Sequence, residues 1–170
     1  NLYPALSADG AEPPPEAEPD LFAAQAATGA HEVIVNAPES VTSLGDLAPE
    51  ALATAMDAWR ERMRAHAGAA CRHLIVNEGH EGGASLPHTH AQLYGLGFVP
   101  AVIDRERERA AAYHERTMGA HLLGDVATEE VRRRERLVAI DDDCLLICPW
   151  ASRSPFELRI VPRRPAPRFE

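Results

Sequence analysis

One stretch concentrates groups able to do chemistry: Asn77-Glu78-Gly79-His80-Glu81-Gly82-Gly83-Ala84-Ser85-Leu86-Pro87-His88-Thr89-His90-Ala91-Gln92. A glycine-rich loop runs directly into His88, His90 and Gln92 at alternate positions. In a strand, alternate residues project to one face, so two imidazoles and an amide stand in a row beside the loop. Glycines let a backbone approach a ligand closely, and successive N–H groups can cradle an anion. Either feature alone is common: most glycine loops are turns, and most lone strand histidines are satisfied polar residues. Together they point to chemistry on an anion. The row carries no carboxylate, so its histidines are the groups available for acid–base or nucleophilic work. An imidazole attacking phosphorus suits them. The phosphorus–nitrogen bond is reactive enough to hand the group on, so one difficult displacement is split into two.

The elements that position this row can be read from the flanking pattern. Residues 31–36 read as a strand that Pro38 ends. Pro49 suits the first turn of a helix, and Leu52, Met56, Trp59 and Met63 follow at helical spacing as one apolar face. Residues 72–77 read as a second strand entering the glycine loop, and residues 88–99 as a third, closed by Pro100. A charged helix is expected over 104–118, ending at Gly119, and Thr128 is expected to open a short helix with Glu129 and Glu130 in its first turn. Residues 137–140 and 144–148 flank Asp141-Asp142-Asp143 as a hairpin, and 156–161 reads as a last strand. Residues 7–19, rich in Pro, Ala and Glu, read as flexible, within an insert spanning 7–29. Strands joined by short turns with a few helices between them imply an α+β fold, an antiparallel sheet with helices packed mainly on one face.

Composition excludes several classes of function. The 170 residues suit one domain with a real core. A net charge of −9 disfavours a phosphate-backbone footprint, so nucleic acid is not the expected partner. No apolar run is long enough to span a bilayer, so no membrane partner is expected either. All 17 basic residues are arginine, which rules out a lysine-dependent P-loop and Schiff-base chemistry within this chain. The three cysteines, an odd count without a secretory signal, read as reduced thiols in the cytoplasm, with Cys144 and Cys148 expected in the core. Arg132, Arg133, Arg134 and Arg136 read as a solvated face, His31 as a capping or surface residue, and His80 as a loop histidine able to touch substrate. The chain opens at Asn1 rather than methionine, inside what reads as a structured segment, and is expected to be a piece of a longer protein.

The central stretch resembles the active-site signature of the galactose-1-phosphate uridylyltransferases, a branch of the histidine-triad superfamily: an Asn, a loop with Gly and Ser, then His-Pro-His-x-Gln. Thr89 stands here in place of the proline. Residues 1–6, 31–35, Pro149-Trp150-Ala151 and Pro155-Phe156-Glu157 resemble further family stretches, so the likeness covers nearly the whole chain outside the insert. It implies a single histidine-triad-like catalytic domain over 1–170, the first half of a two-half transferase whose second half, of related fold, completes the sugar site; a homodimer is compatible with it. It implies that His90 is the nucleophile that becomes uridylylated and that Gln92 hydrogen-bonds the transferred phosphoryl group. His88 would orient the nucleophile through its backbone carbonyl. Asn77, Gly83 and Ser85 would lie around the phosphates and Asn1 near the uridine. In some members the side chain matching His88 binds zinc and the position matching Glu106 binds a second metal. The family's Cys-x-x-Cys would fall upstream of Asn1, and a further zinc histidine would fall near Ser40, a poor ligand. No organic cofactor is implied.

The expected reaction is transfer of UMP between a UDP-hexose and a hexose 1-phosphate. The alternatives are a nucleotidyl phosphorylase acting on ADP-glucose or a dinucleoside polyphosphate, a histidine-triad hydrolase, and a non-catalytic nucleotide-binding domain. Hydrolases of that superfamily carry a third histidine where Gln92 stands. An amide cannot titrate, so Gln92 favours an intermediate that waits for a phosphate acceptor.

Overall fold

Pro49 starts a long helix because its missing N–H costs nothing in a first helical turn. This helix, α1 (Pro49–Ala65), buries Ala55, Trp59 and Met63 and keeps Arg62 and Arg64 in its last turn. The expected stripe holds at Trp59 and Met63 but not at Met56, which is exposed while neighbouring Ala55 is buried. The computed structural model describes residues 4–10, 21 and 26–170. They form two compact units, Asn1–Pro100 with Glu170, and Ala101–Phe169.

In the first unit, β1 (Gly29–Val35), β2 (Cys71–Val76) and β3 (His90–Leu96) form an antiparallel sheet in the order β1-β3-β2. The strand that carries the histidine row is therefore central and held on both edges. Val35 pairs with His90, Val33 with Gln92 and His31 with Tyr94 on one side, and Ile75 pairs with Gln92 on the other. β-branched residues dominate the outer strands at 33–35 and 75–76, as a pleated surface favours. Ala91 and Leu93 are fully buried. Ala91 packs with Ala55 and Trp59 of α1, and Ile34, Leu44, Leu74 and Val76 close around them. Alternation then places His90, Gln92 and Tyr94 on the sheet face away from α1.

Much of the expected insert, and Asn1 with it, lies outside the described residues. Of the remainder, Ser7 bridges to Thr28 and its carbonyl accepts from Gly29 N–H at 2.9 Å.

The second unit holds α2 (Ala101–Arg116), α3 (Leu122–Arg133), β4 (Leu137–Ile140), β5 (Cys144–Ile147) and β6 (Arg159–Pro162). Its sheet runs β4-β5-β6, antiparallel, with Ala127 and Val131 of α3 packed on Leu137, Leu145, Ile147 and Val161. The α+β class with antiparallel pairing and helices on one face is as expected, although the strands divide between two three-stranded sheets. Three further differences have local causes. α3 begins before Thr128, because the His121 ring caps Gly124 N–H at 3.1 Å; Thr128 instead returns its hydroxyl to the Gly124 carbonyl. The last strand starts only at Arg159, because Phe156 sits at φ 61° with its side chain exposed. Cys148 is exposed rather than in the core, since it follows the last paired residue of β5. Arg136 is not simply solvated: it pairs through Nε with both carboxylate oxygens of buried Glu130 at 3.0 Å, whereas Arg132 and Arg133 pair with Glu129 at the surface.

The helix face of β1 is tied to α1 by Glu32. It receives Arg62 through two bonds, at 2.8 and 2.6 Å, and His66 Nε2 at 2.8 Å. Arg62 holds the Glu32 carboxyl down to about 2; burial opposes this and His66 adds to it. A carboxyl depressed in the folded state contributes stability that is present above its unfolded value and lost as pH falls through the folded one. The contribution should therefore fade between pH 4.5 and about 2. Glu32→Gln is expected to cost about 1 kcal/mol at neutral pH, the scale of a partly exposed pair. Urea midpoints of the two proteins should converge toward pH 2, and a gap that persists there would show that Glu32 acts through packing rather than charge.

Candidate active site

The row expected from sequence is partly realised as a strand. β3 starts at His90, so His88 and Thr89 form its approach. His90 is 4% exposed, and its Nδ1 lies 2.8 Å from the backbone carbonyl of His88. A carbonyl only accepts, so Nδ1 carries the proton and Nε2 keeps its lone pair. No hydrogen bond to a described residue engages Nε2, and it is not among the atoms sealed from solvent without a partner. This is the state a nucleophilic imidazole needs. The His88 ring is turned elsewhere, with Nε2 2.8 Å from the Ala37 carbonyl.

The residue between the two histidines holds this geometry, and its role was not anticipated. Thr89 is 2% exposed. Its N–H donates to the Val41 carbonyl at 2.7 Å and its carbonyl accepts from Asn36 N–H at 3.2 Å. Its hydroxyl accepts from Asn36 Nδ2 at 3.0 Å and donates to Glu78 Oε1 at 2.8 Å. Asn36 in turn accepts from Trp59 Nε1 at 3.0 Å. A directed chain thus runs from Trp59 on α1 through Asn36 and Thr89 to Glu78 at the start of the glycine loop. Every buried group in it has a partner of the right sense, as such networks require. Glu78 also receives Leu44 N–H at 2.6 Å and the Ser43 hydroxyl at 2.9 Å. Burial by itself raises the Glu78 carboxyl; Leu44 N–H, Thr89 and Ser43 outweigh it and leave the group below its usual value. The Thr89-for-proline exchange in the signature was the available clue, because threonine adds both an N–H and a hydroxyl.

The glycine loop closes on itself. Gly83 N–H donates to the His80 carbonyl and Ala84 N–H to the Gly79 carbonyl, both at 3.1 Å. These two amides are therefore engaged within the loop rather than presented to an anion. A side chain on Gly82 would have its Cβ 2.2 Å from the Glu78 carbonyl oxygen, and Gly83 sits at φ +79°, so both positions need glycine. A cleft of about 560 Å³ lies beside the loop, lined by Ser43, Glu78, His80, Ser85 and neighbouring residues. His80 and Ser85 thus share a concave surface, whereas Asn77, Gly83, His90 and Gln92 do not line it. Asn77 follows β2 directly and is half-buried; Gly83 and Ser85 are exposed.

Gln92, half-buried, lies one strand repeat beyond His90 on the same face. Its Oε1 accepts the Tyr94 hydroxyl at 2.9 Å and lies 3.3 Å from His31 Nε2. His31, expected at the surface, is drawn into the site because β1 pairs it across from Tyr94.

Glu106 lies in the other unit, exposed and 3.5 Å from Arg153. His88 Nε2 points its hydrogen at a carbonyl and Ser40 is exposed. Among the described residues no three His, Cys, Asp or Glu side chains come together to hold a metal ion. They do not fit the zinc site that the resemblance implies.

Residues 1–100 match the family described as galactose-1-phosphate uridyl transferase, N-terminal domain, a span that coincides with the first unit. The galactose-1-phosphate uridylyltransferase of Rattus norvegicus is 31% identical over 171 residues, covering 99% of this chain and 44% of the relative. The ADP-glucose phosphorylase of Arabidopsis thaliana is 24% identical over 172 residues, covering 99% and 47%. A solved uridylyltransferase structure superposes with a TM-score of 0.80 at 27% identity, over 99% of this chain and 53% of its own. The chain spans about half the length of these relatives.

Thr89→Val keeps the backbone N–H but removes the hydroxyl, leaving Asn36 Nδ2 and Glu78 each short of a partner. It is expected to destabilise the protein by about 1–3 kcal/mol, the cost of buried unsatisfied groups. Urea unfolding reads this; an unmoved midpoint would show that the chain of bonds is not a structural support.

Proposed function

We propose that this chain, which belongs to the galactose-1-phosphate uridyl transferase family, is the catalytic half of an enzyme moving UMP between a UDP-hexose and a hexose 1-phosphate. The observation that carries this is the His90 ring, with Nδ1–H held by the His88 carbonyl and Nε2 left as a lone-pair nitrogen. In the proposed mechanism, Nε2 attacks the α-phosphorus of the UDP-hexose. The bond from that phosphorus to the bridging oxygen breaks, and hexose 1-phosphate departs with the electron pair. The His88 carbonyl stabilises the positive charge that develops on the ring. A second hexose 1-phosphate then attacks the same phosphorus, the phosphorus–nitrogen bond breaks, and Nε2 recovers its lone pair. No proton or redox balance is needed over the cycle. Gln92 donates an amide N–H to a non-bridging oxygen as charge grows there. Asn77 and Ser85 serve the phosphates and Asn1 the uridine, while Gly83 supports the turn of the loop, its own N–H being held by the His80 carbonyl. No step uses a metal.

The ADP-glucose phosphorylase among the relatives supports a second reading, a nucleotidyl phosphorylase, in which the same histidine chemistry meets a different base and acceptor. Three free cysteines support a reducing, cytoplasmic setting. No described helix is long and apolar enough to cross a membrane. A sugar site that this chain does not complete alone and a homodimer are both compatible with the reading.

Two measurements test the proposal. The full chain incubated with labelled UDP-glucose should form a covalent adduct that is acid-labile and base-stable. His90→Gly should abolish adduct and transfer together, since no other group can take the nucleophile's place. Undiminished activity in that variant ends the assignment.

The second measurement compares isotope exchange between hexose phosphates with release of UMP. A sugar phosphate leaves without an acid to protonate it, so exchange should exceed hydrolysis. Gln92→His should lower exchange by roughly 10²-fold, the typical effect of removing one transition-state donor. Equal rates of UMP release and exchange in the unaltered protein would replace the transferase reading with a hydrolase.

A further inference from the structure

An amide side chain can face a ligand with either end, and only its partners decide which. For Gln92 the choice matters, because an N–H toward a phosphoryl oxygen attracts and a carbonyl oxygen there repels. Ala5 N–H donates to His31 Nδ1 at 3.0 Å. A backbone amide cannot accept, so Nδ1 supplies a lone pair and the neutral ring carries its hydrogen on Nε2. That hydrogen faces the Gln92 side chain at 3.3 Å and requires the oxygen end there. The Tyr94 hydroxyl donates to the same oxygen at 2.9 Å. His31 and Tyr94 stack with ring centroids 4.3 Å apart and 10° between planes, so the two donors are held as one rigid unit across the β1–β3 pair. Turning the amide over would set its NH2 group against the Nε2–H.

We infer that His31 and Tyr94 are positioning residues that lock the Gln92 carbonyl between them and so keep its N–H end toward the group transferred by His90. The inference rests on the roles of His90 and Gln92 proposed above. Two donors hold the carbonyl, so the orientation is preset before substrate arrives. The donor then needs no reorganisation as charge develops on phosphorus, which is the advantage of preorganised dipoles. The stacked pair is tied to Ala5 through His31 Nδ1, so the placement of Ala5 and the orientation of the Gln92 amide are linked.

The test is a double-mutant cycle on the full chain. Tyr94→Phe removes one donor and keeps the ring; His31→Phe/Tyr94→Phe removes both and keeps two aromatic rings to stack. The double variant should lose about 10-fold in kcat for exchange, less than loss of the Gln92 donor itself, with the KM for UDP-glucose changed less than about 2-fold. In a Gln92→Ala background the same two substitutions should cost less than about 2-fold, because the amide they orient is gone. An equal loss in both backgrounds would mean that they merely support the sheet and would overturn the inference. If the double variant unfolds, Tyr94→Phe alone carries the cycle with a smaller expected loss of about 3-fold. A readout independent of activity is the ¹⁵N spectrum of the His31 ring: hydrogen on Nε2 supports the inference and hydrogen on Nδ1 overturns it. An unaltered protein without adduct or exchange would defeat the proposed reaction, and the tautomer would still decide the inference.

Discussion

The hydroxyl of Thr89 sits where three parts of the first unit meet. It accepts from Asn36 at the end of β1, which is itself anchored to Trp59 of α1, and it donates to Glu78 at the mouth of the glycine loop. The Thr89 N–H and carbonyl are also engaged, with Val41 and Asn36. A residue bound at every polar atom and 2% exposed has little freedom. The carbonyl of His88 and the ring of His90 flank it in sequence, so the bond between them inherits that rigidity. His90 is placed less by its own contacts than by the residue beside it.

The sheet adds a second constraint. β3 is central, so its register is set twice, by β1 and by β2. A slip of one residue would send Ala91 and Leu93 to the open face and drive His90 and Gln92 into α1. Burial of the small Ala91 against Trp59 therefore protects the orientation of the row that holds His90 and Gln92.

The polar face works by directionality. His88 C=O fixes the proton on His90 Nδ1, Ala5 N–H fixes the proton on His31 Nε2, and the two donors on Gln92 Oε1 fix the amide. A backbone group of unambiguous sense fixes each histidine tautomer, and the His31 tautomer in turn fixes the neighbouring amide. Tautomers and amide orientation are settled without any lysine or carboxylate on the row.

What the sequence determined by itself was local and periodic. Helical spacing and Pro49 placed α1, and the alternation of His88, His90 and Gln92 after a glycine loop marked the reactive stretch and its family likeness. The hairpin around Asp141-Asp142-Asp143 was legible because turn residues separate two short apolar runs. The tertiary structure alone decided the rest. His31 looked like a surface histidine until strand pairing set it opposite Tyr94, more than sixty residues away along the chain. Thr89 looked like a departure from a motif until Asn36 and Glu78 arrived to bond it. The glycine loop looked ready to bind an anion until two of its amides closed on its own carbonyls. Periodicity reports which face a residue shares with its near neighbours, because that depends on backbone geometry alone. The partner of a polar atom depends on which distant segment folds against it, and no spacing within one strand records that.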